Sequence, residues 1–243
     1  VITNQDDPVW RIPKSLIVQP DTTKFNETSL EARDIKLKVT AIDIPVAFAS
    51  AFEGEIIRKG DMQFEADGSR KDCFELVRAK ELGEVEDHKF TLIGPDFDQF
   101  EVGSKITMAY IADVAGKAMQ SDFESVIERK FHSYINCIEG VMHTGQRDMI
   151  RIRVSKATHE AGFRAKDLAE VLYAKLKSDY AAVCDKCAIT IVTDEAECSK
   201  LRHEMATAAY DKRDERLNSL SDESVDKFYT CIMCQAFSPS HVC

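Results

Sequence analysis

No apolar run in this 243-residue chain approaches the ~20 residues that a membrane span requires. Residues 1–20 carry Asp6, Asp7, Pro8 and Pro13, so they hold no apolar signal-peptide core. Basic residues are the minority: 32 Lys+Arg stand against 42 Asp+Glu, a formal charge of −10 with a pI of about 5.2. That balance argues against a general grip on nucleic acid, which needs a basic footprint. Internal repeats and low-complexity stretches are absent, and 44% hydrophobic with 30% charged residues excludes disorder or a fibre. A Walker phosphate loop and a Gly-rich dinucleotide turn are also missing. The pair His203–Glu204 has Thr207 where a zincin needs its second histidine. No Ser/His/Asp ordering stands out. The chain therefore reads as a cytoplasmic globular protein of one large domain or two modest ones, long enough for a sizeable core.

The elements that are present predict an α/β fold, a mixed sheet with covering helices, in a multi-domain chain. Residues 1–48 read as the tail of a preceding domain and a linker. Their few elements cannot close a core, and Val1 is not a natural start residue, so a longer parent chain is expected. Residues 49–220 read as a mixed α/β middle domain. Strands are expected over Cys73–Ala79, Lys89–Ile93 and Lys105–Ile111, with turns at Gly83, Gly94–Pro95 and Gly103. Ser121 and Glu124 make a capping-box pair, because each side chain can satisfy a free N–H of the helix start. Phe123, Val126, Ile127, Phe131, Tyr134, Ile135 and Ile138 then share one helical face until Gly140. A strand over Asp148–Ser155, a helix over Ala165–Tyr180, a strand over Ala188–Thr193 and a long polar helix over Asp194–Leu220 follow. A final segment, 221–243, opens with Ser221 as N-cap.

Eight cysteines carry the first chemical signal: Cys73, Cys137, Cys184, Cys187, Cys198, Cys231, Cys234 and Cys243. Without a secretory signal, paired cysteines point to metal or redox chemistry before disulfides. Cys184-x-x-Cys187 with Cys198 can form three legs of a zinc site, but no fourth ligand is obvious and packing explains them as well. Arg147, Arg151 and Arg153 share a parity with Met149, and in a strand they would project opposite Ile150, Ile152 and Val154. Guanidinium forks in such a cluster can hold phosphates, and they can equally form a salt-bridged sheet face.

The terminal stretch Phe228-Tyr-Thr-Cys231-Ile-Met-Cys234-Gln-Ala-Phe237-Ser-Pro239-Ser-His-Val-Cys243 is the most specific feature. C-x2-C-x8-C brings two thiolates to one cluster, and a loop bent at Pro239 lets the third return. Soft thiolates select iron–sulfur cores or zinc. Phe237 inside the ligand loop keeps water from the site.

This stretch resembles the opening of the metal-cluster motif of the CO-methylating acetyl-CoA synthase family, which includes the beta subunit of the archaeal decarbonylase/synthase complex. Ala51-Phe-Glu-Gly-Glu55, Leu76-Val-Arg-Ala-Lys80, Lys89-Phe-Thr-Leu-Ile-Gly-Pro95, Glu139-Gly-Val-Met-His-Thr-Gly-Gln-Arg147 and Tyr210-Asp-Lys-Arg-Asp214 resemble the family as well. The likeness thus covers nearly the whole chain. It implies that Cys231, Cys234 and Cys243 ligate a [4Fe–4S] cluster, that Cys234 also bridges to nickel, and that Phe237 lies beside that nickel and gates CO. A fourth cluster cysteine and a Cys-Gly-Cys site for a second nickel are implied beyond Cys243, so the active centre is incomplete in this chain. The resemblance further implies that a methyl group from a corrinoid iron–sulfur protein, CO from a carbon monoxide dehydrogenase and coenzyme A combine as acetyl-CoA. Residues 49–220 would then be the coenzyme A-associated middle domain and 221–243 the start of the cluster domain. Arg147, Arg151 and Arg153 become candidates for coenzyme A phosphates. Cys184, Cys187 and Cys198 gain no role from the resemblance. Two alternatives stand beside this reading: a non-catalytic coenzyme A-binding and corrinoid-protein docking module, and an unrelated zinc-binding protein.

Overall fold

The computed structural model describes residues 57–121, 123–219 and 221. The expected elements in residues 1–48, the segment Ala51–Glu55 and the cysteine stretch from Phe228 to Cys243 lie outside them.

Among the described residues, eight strands form two mixed sheets rather than one. The first has the order β4-β1-β7-β6, from β1 (Met62–Asp67), β4 (Ser104–Ile106), β6 (Val141–Thr144) and β7 (Arg151–Ser155). The second has the order β2-β5-β8-β3, from β2 (Phe74–Ala79), β3 (Lys89–Ile93), β5 (Ala109–Ala115) and β8 (Lys186–Val192). β2–β5 and β3–β8 are parallel, and β5–β8 is antiparallel. The helices are α1 (Phe123–Asn136), the short α2 (Lys156–Glu160), α3 (Ala165–Asp179), α4 (Glu195–Leu201) and α5 (Thr207–Asn218), with one π-helical stretch, Arg202–Ala206, between the last two. The α/β class with covering helices is what the sequence predicts.

The second sheet carries apolar residues on both faces, which is why its strands read as continuous hydrophobic runs. One face, with Val77, Tyr110, Ala112, Val114, Ile189 and Ile191, joins the main core with Ile127, Phe131 and Ile135 of α1 and Leu168, Leu172 and Leu176 of α3. The opposite face, with Phe74, Leu76, Ala109, Ile111 and Val192, packs under Cys198, Ala206 and Tyr210. The helical stretch from Glu195 to Asn218 is therefore amphipathic in fact, though its composition reads as polar.

Four boundaries differ from expectation, each for a local reason. The run Lys105–Ile111 breaks at Thr107–Met108 because β4 pairs with β1 while β5 pairs with β2 and β8. The strand expected from Asp148 starts at Arg151, since Gly145–Asp148 turns tightly, with Gly145 at φ 86° and Arg147 at φ 57°. Glu124 does not close a capping box: its carboxylate accepts from the Ala79 N–H and from Arg213, and Ser121 Oγ accepts from Arg216. The single helix expected over 194–220 is described from Glu195 to Asn218 and changes pitch at Arg202–Ala206, a π-helical stretch. The helix over 165–180 and the close at Gly140, with φ 74°, are as expected.

Candidate functional site

The outer edge of β2 is where sequence segments far apart converge. An edge strand presents unpaired N–H and C=O groups that must be capped. Here side chains cap them. Glu128 accepts from the Val77 N–H at 3.1 Å and Glu124 from the Ala79 N–H at 2.7 Å. Arg213 donates to the Val77 carbonyl and Tyr210 O–H to the Glu75 carbonyl. The Arg147 carbonyl accepts from the Glu75 N–H at 2.9 Å, and the Arg147 N–H returns to Glu75 Oε1 at 3.1 Å. Those two bonds hold Arg147 in the left-handed region, which is costly for a residue with a Cβ.

α1 supplies its share through residues at four-residue steps: Glu124, Glu128, His132 and Asn136 lie in one row. Asn136 clasps the backbone of His143 by both its N–H and its carbonyl. The His143 ring, fully buried, places Nε2 3.0 Å from Glu75 Oε2 and 2.8 Å from Tyr110 Oη, and Nδ1 3.2 Å from Nδ1 of His132. Tyr110 donates to the same carboxylate of Glu75. A consistent hydrogen pattern has His143 carrying Nε2–H toward Glu75 and accepting at Nδ1 from His132. Burial and the neighbouring His143 hold the half-buried His132 below the ordinary histidine range.

Glu128 and Arg213 form a buried pair, Oε2 to Nη1 2.9 Å, at 0% and 5% side-chain exposure. Arg213 also reaches Glu124 at 3.1 Å. Burial, partly offset by Arg213 and reinforced by Glu75, pushes the Glu128 carboxyl up to about 7. Its Oε1 has no hydrogen-bond partner among the described residues.

The structure does not bring the three arginines of the candidate phosphate site together. Arg147 is on the turn, with its fork filled by Asp214 of α5 at 2.8 and 2.9 Å and its plane over the Tyr210 ring, 5.0 Å from the centroid. Its hydrogen bonds to Asp214 raise its pKa and lower that of Asp214. Arg151 and Arg153 do share the outer face of β7, opposite the buried Ile152 and Val154. Arg151 pairs with Asp67 at 2.8 Å and Arg153 with Glu65, which also accepts from Lys105. Burial, then Arg153, Lys59 and Arg151, lower the pKa of Lys105, so the cations crowd one another. The salt-bridged face is therefore present, and Arg151 keeps 41% and Lys105 38% of its side chain exposed.

Cys184 and Cys187 belong to the main core and Cys198 to the smaller one. Cys198 donates to the Val192 carbonyl and Cys184 to that of Lys186, both at 3.4 Å. Burial pushes Cys184 up to about 12, Cys73 up to about 11, and Cys187 and Cys198 upward as well. Among the described residues no group of three or more His, Cys, Asp or Glu is placed to hold a metal ion. The three-legged zinc site is thus not formed, and packing accounts for these thiols.

Comparison with known proteins bears on both the described and the undescribed residues. The model of the CO dehydrogenase/acetyl-CoA synthase complex beta subunit family matches residues 44–198. The chain belongs to that family. A model of the C-terminal part of the ACS/CODH beta subunit matches 210–243, which takes in Cys231, Cys234, Phe237 and Cys243. The chain is 45% identical over 244 residues to the carbon monoxide dehydrogenase/acetyl-CoA synthase subunit alpha of Moorella thermoacetica, covering 100% of this chain and 33% of that protein. It is 40% identical to the acetyl-CoA decarbonylase/synthase complex subunit beta 1 of Methanocaldococcus jannaschii, covering 100% of this chain and 31% of the relative. With the acetyl-CoA decarbonylase/synthase complex subunit beta of Methanopyrus kandleri it shares 42% over 201 residues, 83% of this chain and 43% of the relative. The chain thus spans about a third of the length of the first two relatives. In this member of the beta subunit family, three of the segments that carry the resemblance, Leu76–Lys80, Glu139–Arg147 and Tyr210–Asp214, meet at the capped edge of β2. No described helix is long and apolar enough to cross a membrane.

Proposed function

We propose that this chain is part of a CO-methylating acetyl-CoA synthase, an acyltransferase of the cytoplasm that joins a corrinoid-borne methyl group, CO and coenzyme A into acetyl-CoA. The observation that carries the reading is the family match over 210–243, which contains the C-x2-C-x8-C spacing. Cys231, Cys234 and Cys243 would hold a [4Fe–4S] cluster, with Cys234 bridging to nickel and Phe237 limiting access of water and CO. The donor chemistry fits, since thiolates favour soft metals and an aromatic in the loop lowers the local dielectric. When bound, the nickel–iron–sulfur centre supplies the electron-rich metal at which the bond-making occurs. The remaining ligands belong to segments beyond Cys243, and the division at residue 220 separates a middle domain from the cluster domain. A corrinoid iron–sulfur protein and a carbon monoxide dehydrogenase are the partners of this reading.

The chain's own residues bind and position. Arg151 and Arg153, with Lys105, offer coenzyme A phosphates a half-exposed cationic face already aligned by Asp67 and Glu65. Arg147 stands apart on its turn and would meet a phosphate only by giving up Asp214. This face is also what favours the second reading, a coenzyme A-binding and docking module.

Two measurements separate the readings. A form carrying the downstream ligands, reconstituted without oxygen, should retain iron and nickel and lose both in Cys234→Ala; retention of neither element overturns the enzyme reading. Arg151→Ala with Arg153→Ala should weaken coenzyme A binding about tenfold, the worth of one lost charge-assisted contact. Unchanged affinity removes the phosphate role.

A further inference from the structure

The outer face of the first sheet holds its cations in two rows, and strand register sets them. Glu65 of β1 stands opposite Arg153 of β7 and Lys105 of β4, and Asp67 stands opposite Arg151. Two residues along a strand put the rows about 7 Å apart. In the first row Arg153 and Lys105 both donate to Glu65, and Lys59 lies near enough to add its charge to theirs. Three cations there meet one buried carboxylate. In the second row Arg151 gives Nε and Nη2 to Asp67 Oδ2 at 3.2 and 2.8 Å. Arg70 approaches the same oxygen from the turn after β1, its Nε 3.9 Å away and its side chain 69% exposed. That separation is too long for a hydrogen bond, so among the described residues the donors of the Arg70 fork stay open.

The turn that carries Arg70 is fixed in place. Asp67 Oδ1 accepts from the Ser69 N–H at 3.0 Å and from Ser69 Oγ at 2.6 Å, and the Asp67 carbonyl accepts from the N–H groups of Arg70 and Lys71. The Gly68 N–H donates to the Ile150 carbonyl at 2.7 Å. A Cβ at Gly68 would lie 2.2 Å from the Asp148 carbonyl oxygen, so glycine lets this turn press against the one that precedes β7. Met149, between those two carbonyls in sequence, is 65% exposed.

We propose that Arg70 and Arg151 form a phosphate-monoester subsite that reads the 3′-phosphate of coenzyme A, while Lys59, Lys105 and Arg153 take its diphosphate. This rests on the coenzyme A reading of the face given above, and adds the orientation of the ligand and the side chain that sets its specificity. A guanidinium fork matches two terminal oxygens of a monoester, which only the 3′-phosphate offers. The diphosphate spreads its charge over two linked groups and suits the row with three cations. Adenine and the 3′-phosphate sit on the same ribose, and Met149 places a polarisable thioether beside the Arg70 turn for the ring. Asp67 stays ionised between the two guanidiniums: burial acts to raise its pKa, but the bonds from Ser69 and Arg151 hold it below the usual carboxylate range.

Calorimetric titration of the chain with coenzyme A and with 3′-dephospho-coenzyme A tests the assignment. The wild type should bind coenzyme A about tenfold more tightly, the worth of one charge-assisted contact. Arg70→Ala, a change at an exposed side chain, should bring coenzyme A down to the affinity of the dephospho form and leave that form unaltered. Lys105→Ala should weaken both ligands alike and keep the ratio. Equal binding of the two ligands by the wild type, or equal weakening of both in Arg70→Ala, overturns the subsite while the coenzyme A reading stands. Failure of the wild type to bind either ligand overturns both.

Discussion

Replacing Arg213 by Met tests how much the buried pair carries. The guanidinium serves Glu128 at 2.9 Å, Glu124 at 3.1 Å and the Val77 carbonyl, and its removal leaves Glu128 with only the Val77 N–H. Breaking a buried pair by removing one partner costs about 3–5 kcal/mol, because the other charge is left unpaired. Glu128 has an escape, which is to protonate. Its folded-state carboxyl already lies at about 7, above the unfolded value of 4.5, so its contribution is present at acid pH and is lost as pH rises through 7. Without Arg213, which lowers that pKa, the carboxyl keeps its proton throughout the range. The folded variant then loses about 2.7 kcal/mol between pH ~6 and pH ~8, whereas the wild type loses about 1.4. The destabilisation should therefore be about 1.4 kcal/mol larger at the higher pH. Urea unfolding followed by far-ultraviolet circular dichroism at both pH values measures it, and Arg213→Met with Glu128→Gln should abolish the difference. A loss below about 1 kcal/mol at pH ~8, or one that does not change with pH, would refute the reasoning.

Gly145→Ala should destabilise by about 2 kcal/mol or more, since its Cβ would meet the Met149 carbonyl oxygen at 2.1 Å and its φ is 86°; an unchanged melting temperature would remove the turn from the account. Cys73, Cys184, Cys187 and Cys198 should alkylate at least ~100-fold more slowly at pH ~8 in the folded chain than in urea, because burial keeps them as thiols. Peptide mass spectrometry reads this residue by residue, and fast labelling of any of the four would contradict its placement in a core.

The regular elements were legible where one physical pattern dominated. α3 declares itself by Leu168, Val171, Leu172 and Leu176 at helical steps, and all four are buried. Lys89–Ile93 is punctuated by Gly94, whose φ of 109° takes the chain tightly past Asp194. β1 was not legible, because Glu65 and Asp67 look like surface residues. They are buried only because Arg151, Arg153 and Lys105 reach over them from β7 and β4. That is a long-range fact, and no local pattern carries it. Met142 and His143 of β6 were hidden in the same way, since a histidine at 0% exposure makes sense only once Glu75, Tyr110 and Asn136 surround it.

The arginines and the α1 row show the two directions in which sequence reasoning about the site can go astray. Parity grouped Arg147 with Arg151 and Arg153, but parity holds only inside a strand. The turn closed by Gly145 and the bonds from Glu75 send Arg147 toward α5 instead. Glu128, His132 and Asn136 were overlooked, and Glu124 was read only as a capping residue, although the spacing of the four is as regular as that of the apolar face beside them. The eye assigns polar residues on an amphipathic helix to solvent. Here solvent is replaced by the unpaired edge of β2 and the backbone of His143, each row member meeting a specific N–H or carbonyl there or the His143 ring. The signal that distinguishes such a row is its length combined with its charge: carboxylates at i and i+4 repel one another on a free helix. Their persistence in one row demands cations or donors from elsewhere, and Arg213 and the β2 amides are those donors. A helix that stacks like charges at four-residue spacing with no basic residue in the same row is therefore a helix whose partner lies across the fold.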